Sequence, residues 1–341
     1  MRELMNCLYV QTPGTVLHLD HDAVLARCDE HPLRRVPLRR LEGIIAIGRV
    51  SLTPALIHRC GNDGISITWF DEHGRHAGTL RGRTSGNVLL RLAQYRHHDN
   101  PGRRLATAAT IVAGKLVNSS RFARHAARLA RSPADAAALR MIATDLDSAR
   151  PYLPGAASLD EVRGIEGAAA RLHFSAVRLA LHQDLGFETR TRRPPLSPFN
   201  ALLSFVYALA RSRIEHSSEG AGLDPQVGFL HSVRPGRPAL ALDLLEEHRA
   251  SLDQFCATLV NRRQLGQDDF LVEPGGAVRL NEAGRKTLLT AWSEHLERTV
   301  RHRVLREEIP YGLTFPIQAT LMARHLRGDM PFYLPFATAP D

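Results

Sequence analysis

Near residue 85 the spacing of apolar residues changes from every second position to every third or fourth, so one sheet or one bundle cannot hold the whole chain. Before that point Ile65, Ile67 and Trp69 alternate with Ser66 and Thr68, the signature of a half-buried strand. Cys7–Gln11, Val16–Asp20, Arg35–Leu38, Gly43–Ile47 and His76–Leu80 read as further short strands. Gly61–Gly64 and Asp71–Gly74 read as turns, and Pro54–Arg59 as a lone helix. After residue 85 the helical spacing predicts Val88–His97, Ala106–Leu129, Ala134–Ala149, Leu159–Leu181, Asn200–Ile214, Ala241–Arg263, Asn281–Arg301 and Pro316–Arg327, with Asn281 suited to cap its helix. Thr189–Pro198 carries three arginines and three prolines and reads as an exposed basic connector. The tail after Pro331 reads as irregular. The expected fold class is therefore α+β: a small β-rich N-terminal domain over 1–85, then a larger all-α C-terminal domain over 86–341.

Charge narrows the partner class. The formal net charge is +9, and among 44 cationic residues only Lys115 and Lys286 are lysines. Genome base composition can produce an arginine bias, but a basic surface gains by releasing counterions from a polyanion, and arginine forks onto phosphate oxygens. Nucleic acid is the favoured partner. The four cysteines, Cys7, Cys28, Cys60 and Cys256, form no C-x-x-C pair, which argues against a zinc ribbon and against a disulfide framework. Met1–Val10 lacks the apolar core of a signal peptide, and no stretch has the apolar length of a membrane span. A cytoplasmic protein with no membrane partner is expected.

Three segments of the helical part carry candidate chemistry. In Arg163-Gly-Ile-Glu-Gly-Ala-Ala-Ala-Arg171, Glu166 sits among small residues that let a metal or another backbone come close; the plain alternative is a solvated glutamate. In Gly222-Leu-Asp-Pro-Gln-Val-Gly-Phe-Leu-His231, Asp224-Pro225 signals a turn, Gly228 permits a tight approach, and His231 is either a ligand or a structural histidine. In Leu240-Ala-Leu-Asp-Leu-Leu-Glu-Glu-His-Arg249, Asp243 and Glu246 share one helix face among leucines, where burial demands a compensating cation or pairing with Arg249. Carboxylates with one imidazole suit Mg²⁺ or Mn²⁺ better than zinc. Such an ion would stabilise a phosphodiester's developing charge and activate a water or a 3′-hydroxyl.

The order and wording of these segments, with Pro198-Phe-Asn-Ala-Leu-Leu-Ser-Phe-Val-Tyr207 between the first two, resemble the CRISPR-associated integrase–endonuclease family, number one in the Cas series. The resemblance extends over the whole chain, through layout more than wording in the N-terminal part. The Asp-Leu-Leu-Glu-Glu form is similar to versions found with type I-C systems. The resemblance implies metal ligands at Glu166, His231 and Glu246, with Asp243 as an extra ligand or a support, and Glu247 as the competing assignment for the last ligand. Where the family carries Tyr-Phe this chain has His173-Phe174, a change expected to alter a contact beside the metal. It further implies antiviral defence through integration of short DNA fragments into a CRISPR array by transesterification. The implied assembly is a homodimer working with a small ferredoxin-like partner nuclease in a heterohexamer. Arg190, Arg192, Arg193, Arg234 and Arg237 lie in loops near the proposed site and are expected to hold DNA phosphates.

Overall fold

The alternating first part of the chain folds into two small sheets. The computed structural model describes residues 6–28, 31–72, 74, 76–82 and 88–337. The boundary expected between residues 85 and 86 lies outside the described residues, as do His73 of the Asp71–Gly74 turn and residues 1–5 of the N-terminal segment. In chain order this part comprises β1 (Asn6–Val10), β2 (Val16–Asp20), β3 (Ala23–Cys28), β4 (His31–Pro37), β5 (Leu41–Ile47), β6 (Ser51–Leu52), α1 (Pro54–Asp63), β7 (Ser66–Phe70) and β8 (His76–Leu80). One sheet runs β4-β3-β2-β6 and the other β1-β5-β7-β8. In the second, β1, β5 and β7 are parallel and β8 returns antiparallel.

Strand β5 explains why Gly-Ile-Ile-Ala-Ile shows no polar alternation. Ile44 and Ala46 join a small core with Leu17, Val24, Leu56 and Ile67. Ile45 and Ile47 join the large helical core together with Phe70. A strand buried on both faces reads as a continuous apolar run. Two expectations shift here. Ala23–Cys28, whose sequence lacks alternation, is a strand because β2 and β4 pair with it on either side. Gly61–Asp63 stay helical, and only Gly64, at φ +73°, makes the stop, since its left-handed backbone ends α1.

The second part is mostly helical: α2 (Val88–Asp99), α3 (Pro101–Arg128), α4 (Pro133–Ala149), α5 (Leu159–Ala180), α6 (Pro198–Gly220), α7 (Ala239–Asn261), β9 (Phe270–Val272), β10 (Val278–Leu280), α8 (Glu282–Glu297), β11 (Thr299–His302), β12 (Glu307–Pro310) and α9 (Thr314–Arg327). Asn100, Ser132, Ser158, Ser197 and Asn281 each cap a helix, their side chains accepting the N–H three residues on. Two short antiparallel hairpins, β9–β10 and β11–β12, are added to what the spacing presented as all-α. The helix expected to run to Arg301 ends at Glu297, and its last residues become β11.

Helix α7 is buried on nearly every side and packs against α3 and α6. A helix enclosed in this way should be apolar all round, so its polar residues need specific partners. The two parts of the chain are joined by polar contacts as well as by β5: Trp292 Nε1 donates to Tyr9 Oη at 2.9 Å, and Arg213 pairs with Glu42 at 2.9 Å. Among the described residues no helix is long and apolar enough to cross a membrane.

Candidate metal centre

The loop before α7 is shaped by a close approach that only glycine permits. A Cβ on Gly228 would stand 2.5 Å from Asp243 Oδ2 and 2.6 Å from the Ala239 carbonyl carbon. With that space open, the loop folds over the first turns of α7, and the buried Asp243 carboxylate collects its N–H groups. Phe229 and Leu230 donate to Oδ2 at 2.5 and 3.0 Å, and His231 donates to Oδ1 at 2.9 Å. The loop carbonyls are pinned from neighbouring helices: His98 meets Gly228, Arg104 donates to Phe229, and Arg163 donates to Leu230 through two nitrogens.

Asp243 also fixes the imidazole. His231 Nδ1 lies 2.7 Å from Asp243 Oδ1. A carboxylate only accepts, so Nδ1 carries a proton, and in the neutral ring the nitrogen with a free lone pair is Nε2. Nε2 stands 3.9 Å from Glu246 Oε1, one helical turn further along α7. Both oxygens of Asp243 are thus engaged by the loop, and Oδ1 orients the His231 ring.

Glu246 and Glu166 meet across a lysine. Lys115, buried on α3, donates from Nζ to Glu246 Oε2 at 2.6 Å and also contacts Glu166 Oε1 on α5. Arg249, one turn beyond Glu246, pairs with its other oxygen at 2.8 Å. Burial would raise the pKa of Glu246, but the charges of Arg249 and then Lys115 outweigh it and hold the carboxyl well below the usual carboxylate range. Among the described residues no group of three His, Cys, Asp or Glu side chains stands together as a ready metal cage. At this position an ammonium lies between two of the expected ligands. The residues themselves fit a hard divalent ion: two carboxylates already share one cation, and an imidazole presents a bare lone pair beside them.

Glu247 faces elsewhere. Its carboxyl accepts from Tyr333 Oη at 2.6 Å, Gln318 Nε2 at 2.9 Å and the Phe336 N–H at 2.6 Å, so the tail residues hold it away from Lys115. Burial pushes its pKa up to about 8. That orientation favours Glu246 over Glu247 as the last ligand.

His173 lies behind the site. Its Nε2 meets Asp253 Oδ2 at 2.7 Å, and Tyr207 Oη donates to the other oxygen of Asp253. The Arg249 guanidinium lies over the Tyr207 ring, 4.7 Å from its centre, so the chain Asp253–Tyr207–Arg249 ends on Glu246. Sequence reasoning missed Lys115, Tyr207 and Asp253. Two signals could have found them: the rarity of lysine, and a stripe of charged residues at Asp243, Glu246, Arg249 and Asp253 along one leucine-rich helix.

The expected phosphate contacts separate into three groups. Arg190 is half-buried, its guanidinium bonded to Asn200 Oδ1 at 3.0 Å and Ser204 Oγ at 2.9 Å, so it organises the connector and is not presented to solvent. Arg192 and Arg193 are exposed and line a cleft of about 890 Å³ that Arg81, Arg211, Arg279 and Arg285 also enter. Arg234 is exposed and Arg237 half-buried in the loop whose Gly236 and Pro238 border the same cleft.

The sequence family described as CRISPR associated protein Cas1 matches residues 8–294. The CRISPR-associated endonuclease Cas1 1 of Moorella thermoacetica is 43% identical over 340 residues, covering 98% of this chain and 99% of that protein. A casposase bound to integration product has the same fold, with a TM-score of 0.85 at 21% identity over 99% of this chain and 94% of its own. A chain of a Cas6-RT-Cas1–Cas2 complex matches with a TM-score of 0.81 at 22% identity, over 99% of this chain and 36% of its own. The structural likenesses carry the β-rich and helical architecture, while the sequence match runs almost end to end; the chain belongs to the Cas1 family of CRISPR-associated proteins.

Proposed function

We propose that this protein is a metal-dependent DNA endonuclease and integrase of CRISPR adaptation, with Glu166, His231 and Glu246 holding Mg²⁺ or Mn²⁺. One observation carries the reading: a cationic group lies between Glu166 and Glu246, and the bare Nε2 of His231 is 3.9 Å from Glu246. A bound divalent ion would supply charge neutralisation at the phosphodiester and lower the pKa of an attacking hydroxyl or water. Asp243 keeps His231 in the tautomer that offers Nε2, and Arg249 keeps Glu246 ionised. Among the described residues, nothing beyond α5 itself stands within 4 Å of a Cβ built on Gly164 or Gly167.

In the proposed reaction a 3′-hydroxyl of a short DNA attacks a phosphodiester at the CRISPR repeat. One P–O bond forms as another breaks, the leaving group is the 3′-oxygen of the cut strand, and no ATP is consumed. Arg192 and Arg193, with the arginines across their cleft, would hold the backbone by charge. Relatives named as endonucleases and a likeness to a complex with Cas2 support nuclease chemistry on DNA with a small ferredoxin-like partner. We assign the working form as homodimers bridged by that partner into a heterohexamer, in the cytoplasm, and the Asp-Leu-Leu-Glu-Glu wording supports type I-C.

The test is strand transfer into a repeat-bearing duplex by the protein and its partner with Mn²⁺. Glu166→Ala, His231→Ala and Glu246→Ala should each abolish product, and chelator should abolish it in the wild type. Full integration in EDTA, or in any of the three variants, removes the metal centre from the reaction.

A further inference from the structure

Lys115 is a lysine in a chain that otherwise uses arginine. Of 44 cationic residues two are lysines, and the other, Lys286, is exposed on α8. Lys115 is buried, and its ammonium touches Glu166 and Glu246 from two different helices. A guanidinium is a broad planar fork; an ammonium is a compact point charge, the nearest that a side chain comes to a metal ion in size and shape. It stands where an ion bridging these two carboxylates would stand. A divalent ion seated on the same two oxygens would bring a second positive charge against the ammonium that already contacts both, so the two compete for the seat. Without some cation there, Glu246, 3% exposed, would keep Arg249 alone as its counter-charge.

We infer that Lys115 is a resident counter-ion of the metal-free centre, which holds Glu166 and Glu246 together until a divalent metal displaces it, and which weakens metal binding by competing for the seat. The inference rests on the metal reading above. It differs from a purely structural role in sign. A structural lysine, once removed, leaves the centre looser and metal binding weaker. A competing lysine, once removed, leaves two bare carboxylates and metal binding tighter. Displacement also frees a primary amine that was engaged before.

Two measurements on the full-length protein test this. The scarcity of lysine makes the first direct: acetylate the wild type with an amine-reactive ester, with and without saturating Mn²⁺, and follow Lys115 by mass spectrometry against Lys286 as internal reference. Lys115 should react slowly without metal and at least about tenfold faster with it, as expected when charge-assisted hydrogen bonds that held it are lost. In the second, Lys115→Met, with Lys115→Gln as the alternative should the first not fold, is titrated with Mn²⁺ by calorimetry. The Kd should fall by about tenfold to a hundredfold, with a larger Mn²⁺-induced rise in melting temperature than in the wild type. If wild type binds Mn²⁺ while Lys115 stays as protected as before, or the Lys115 variants bind Mn²⁺ no tighter, the counter-ion role is overturned and the metal centre stands. If wild type binds no Mn²⁺ and Glu166→Gln changes nothing, the metal reading itself falls, and this role with it.

Discussion

Asp243 holds His231 twice with one oxygen: Oδ1 accepts the His231 backbone N–H at 2.9 Å and meets its ring Nδ1 at 2.7 Å. The main chain and the imidazole are therefore oriented by the same atom, and any rotation of that carboxylate moves both. Asp243→Asn replaces one acceptor by a donor among N–H groups that all need acceptors. Mn²⁺ affinity and strand transfer should fall by about tenfold to a hundredfold, as they do when the outer partner of a metal-bound histidine is lost. Unchanged Mn²⁺ affinity by calorimetry in a folded Asp243→Asn protein would dissociate the aspartate from the centre.

Glycine substitutions should act with opposite signs on the two sides of the site. Gly228→Ala drives a methyl against the Ala239 backbone and should cost about 1–3 kcal/mol by urea denaturation. Gly164→Ala and Gly167→Ala, inside α5 with nothing within 4 Å of the new atom, should each add about 0.5–1 kcal/mol. Destabilisation by either α5 change would mean that this face is covered.

Arg249 is the counter-charge of a buried carboxylate on its own helix. Arg249→Met leaves Glu246 with Lys115 alone and should destabilise by about 3–5 kcal/mol, the cost of removing one partner of a buried ion pair. The double variant Arg249→Met with Glu246→Gln should recover part of that loss, which a thermodynamic cycle measures directly.

Glu247 has its pKa displaced upward, opposite to that of Glu246. Its folded-state pKa is raised to about 8, above the ordinary carboxylate value it regains on unfolding. Between those two values the folded protein holds the extra proton, so stability falls as pH rises and levels off above about pH 8. Glu247→Gln, which mimics the protonated form, should flatten the decline of melting temperature between pH 5 and pH 9. An identical pH profile in the variant would assign that decline to other groups.

Arg192→Gln and Arg193→Gln test the cleft. If both arginines contact the backbone, the slope of log K against log salt for DNA binding should fall by about one for each. Arg190→Gln should instead lower stability, because its guanidinium bonds to Asn200 and Ser204.

Much of this was legible in the residues alone. Helix-forming spacing and the Asn281 cap survive tertiary context, because both act within one or two turns. The segments around Glu166, His231 and Asp243 could be ordered from their wording, but wording does not give direction. Adjacent glutamates on a buried helix point to different neighbours, and only the tail residues Tyr333 and Phe336 reveal which one Glu247 has. The rarity of lysine marked Lys115, but not what it touches. It lies 51 positions before Glu166 and 131 before Glu246, on a helix whose periodicity marks it as nothing more than a buried position. The β11–β12 hairpin exists through pairing that local spacing does not show, and strand β3 through the two strands, β2 and β4, that flank it.

Strand β5 gives alternate side chains to two different cores, and this bears on how the molecule comes apart. Loss of the small sheets would strip Ile45, Ile47 and Phe70 from the helical interior, and loss of the helices would bare those same side chains on one face of a mixed sheet. Neither half has a private wall on that side. Heat or denaturant should therefore take the chain down in one step at this seam, and a proteolytic fragment cut after β8 should not survive as an independent unit.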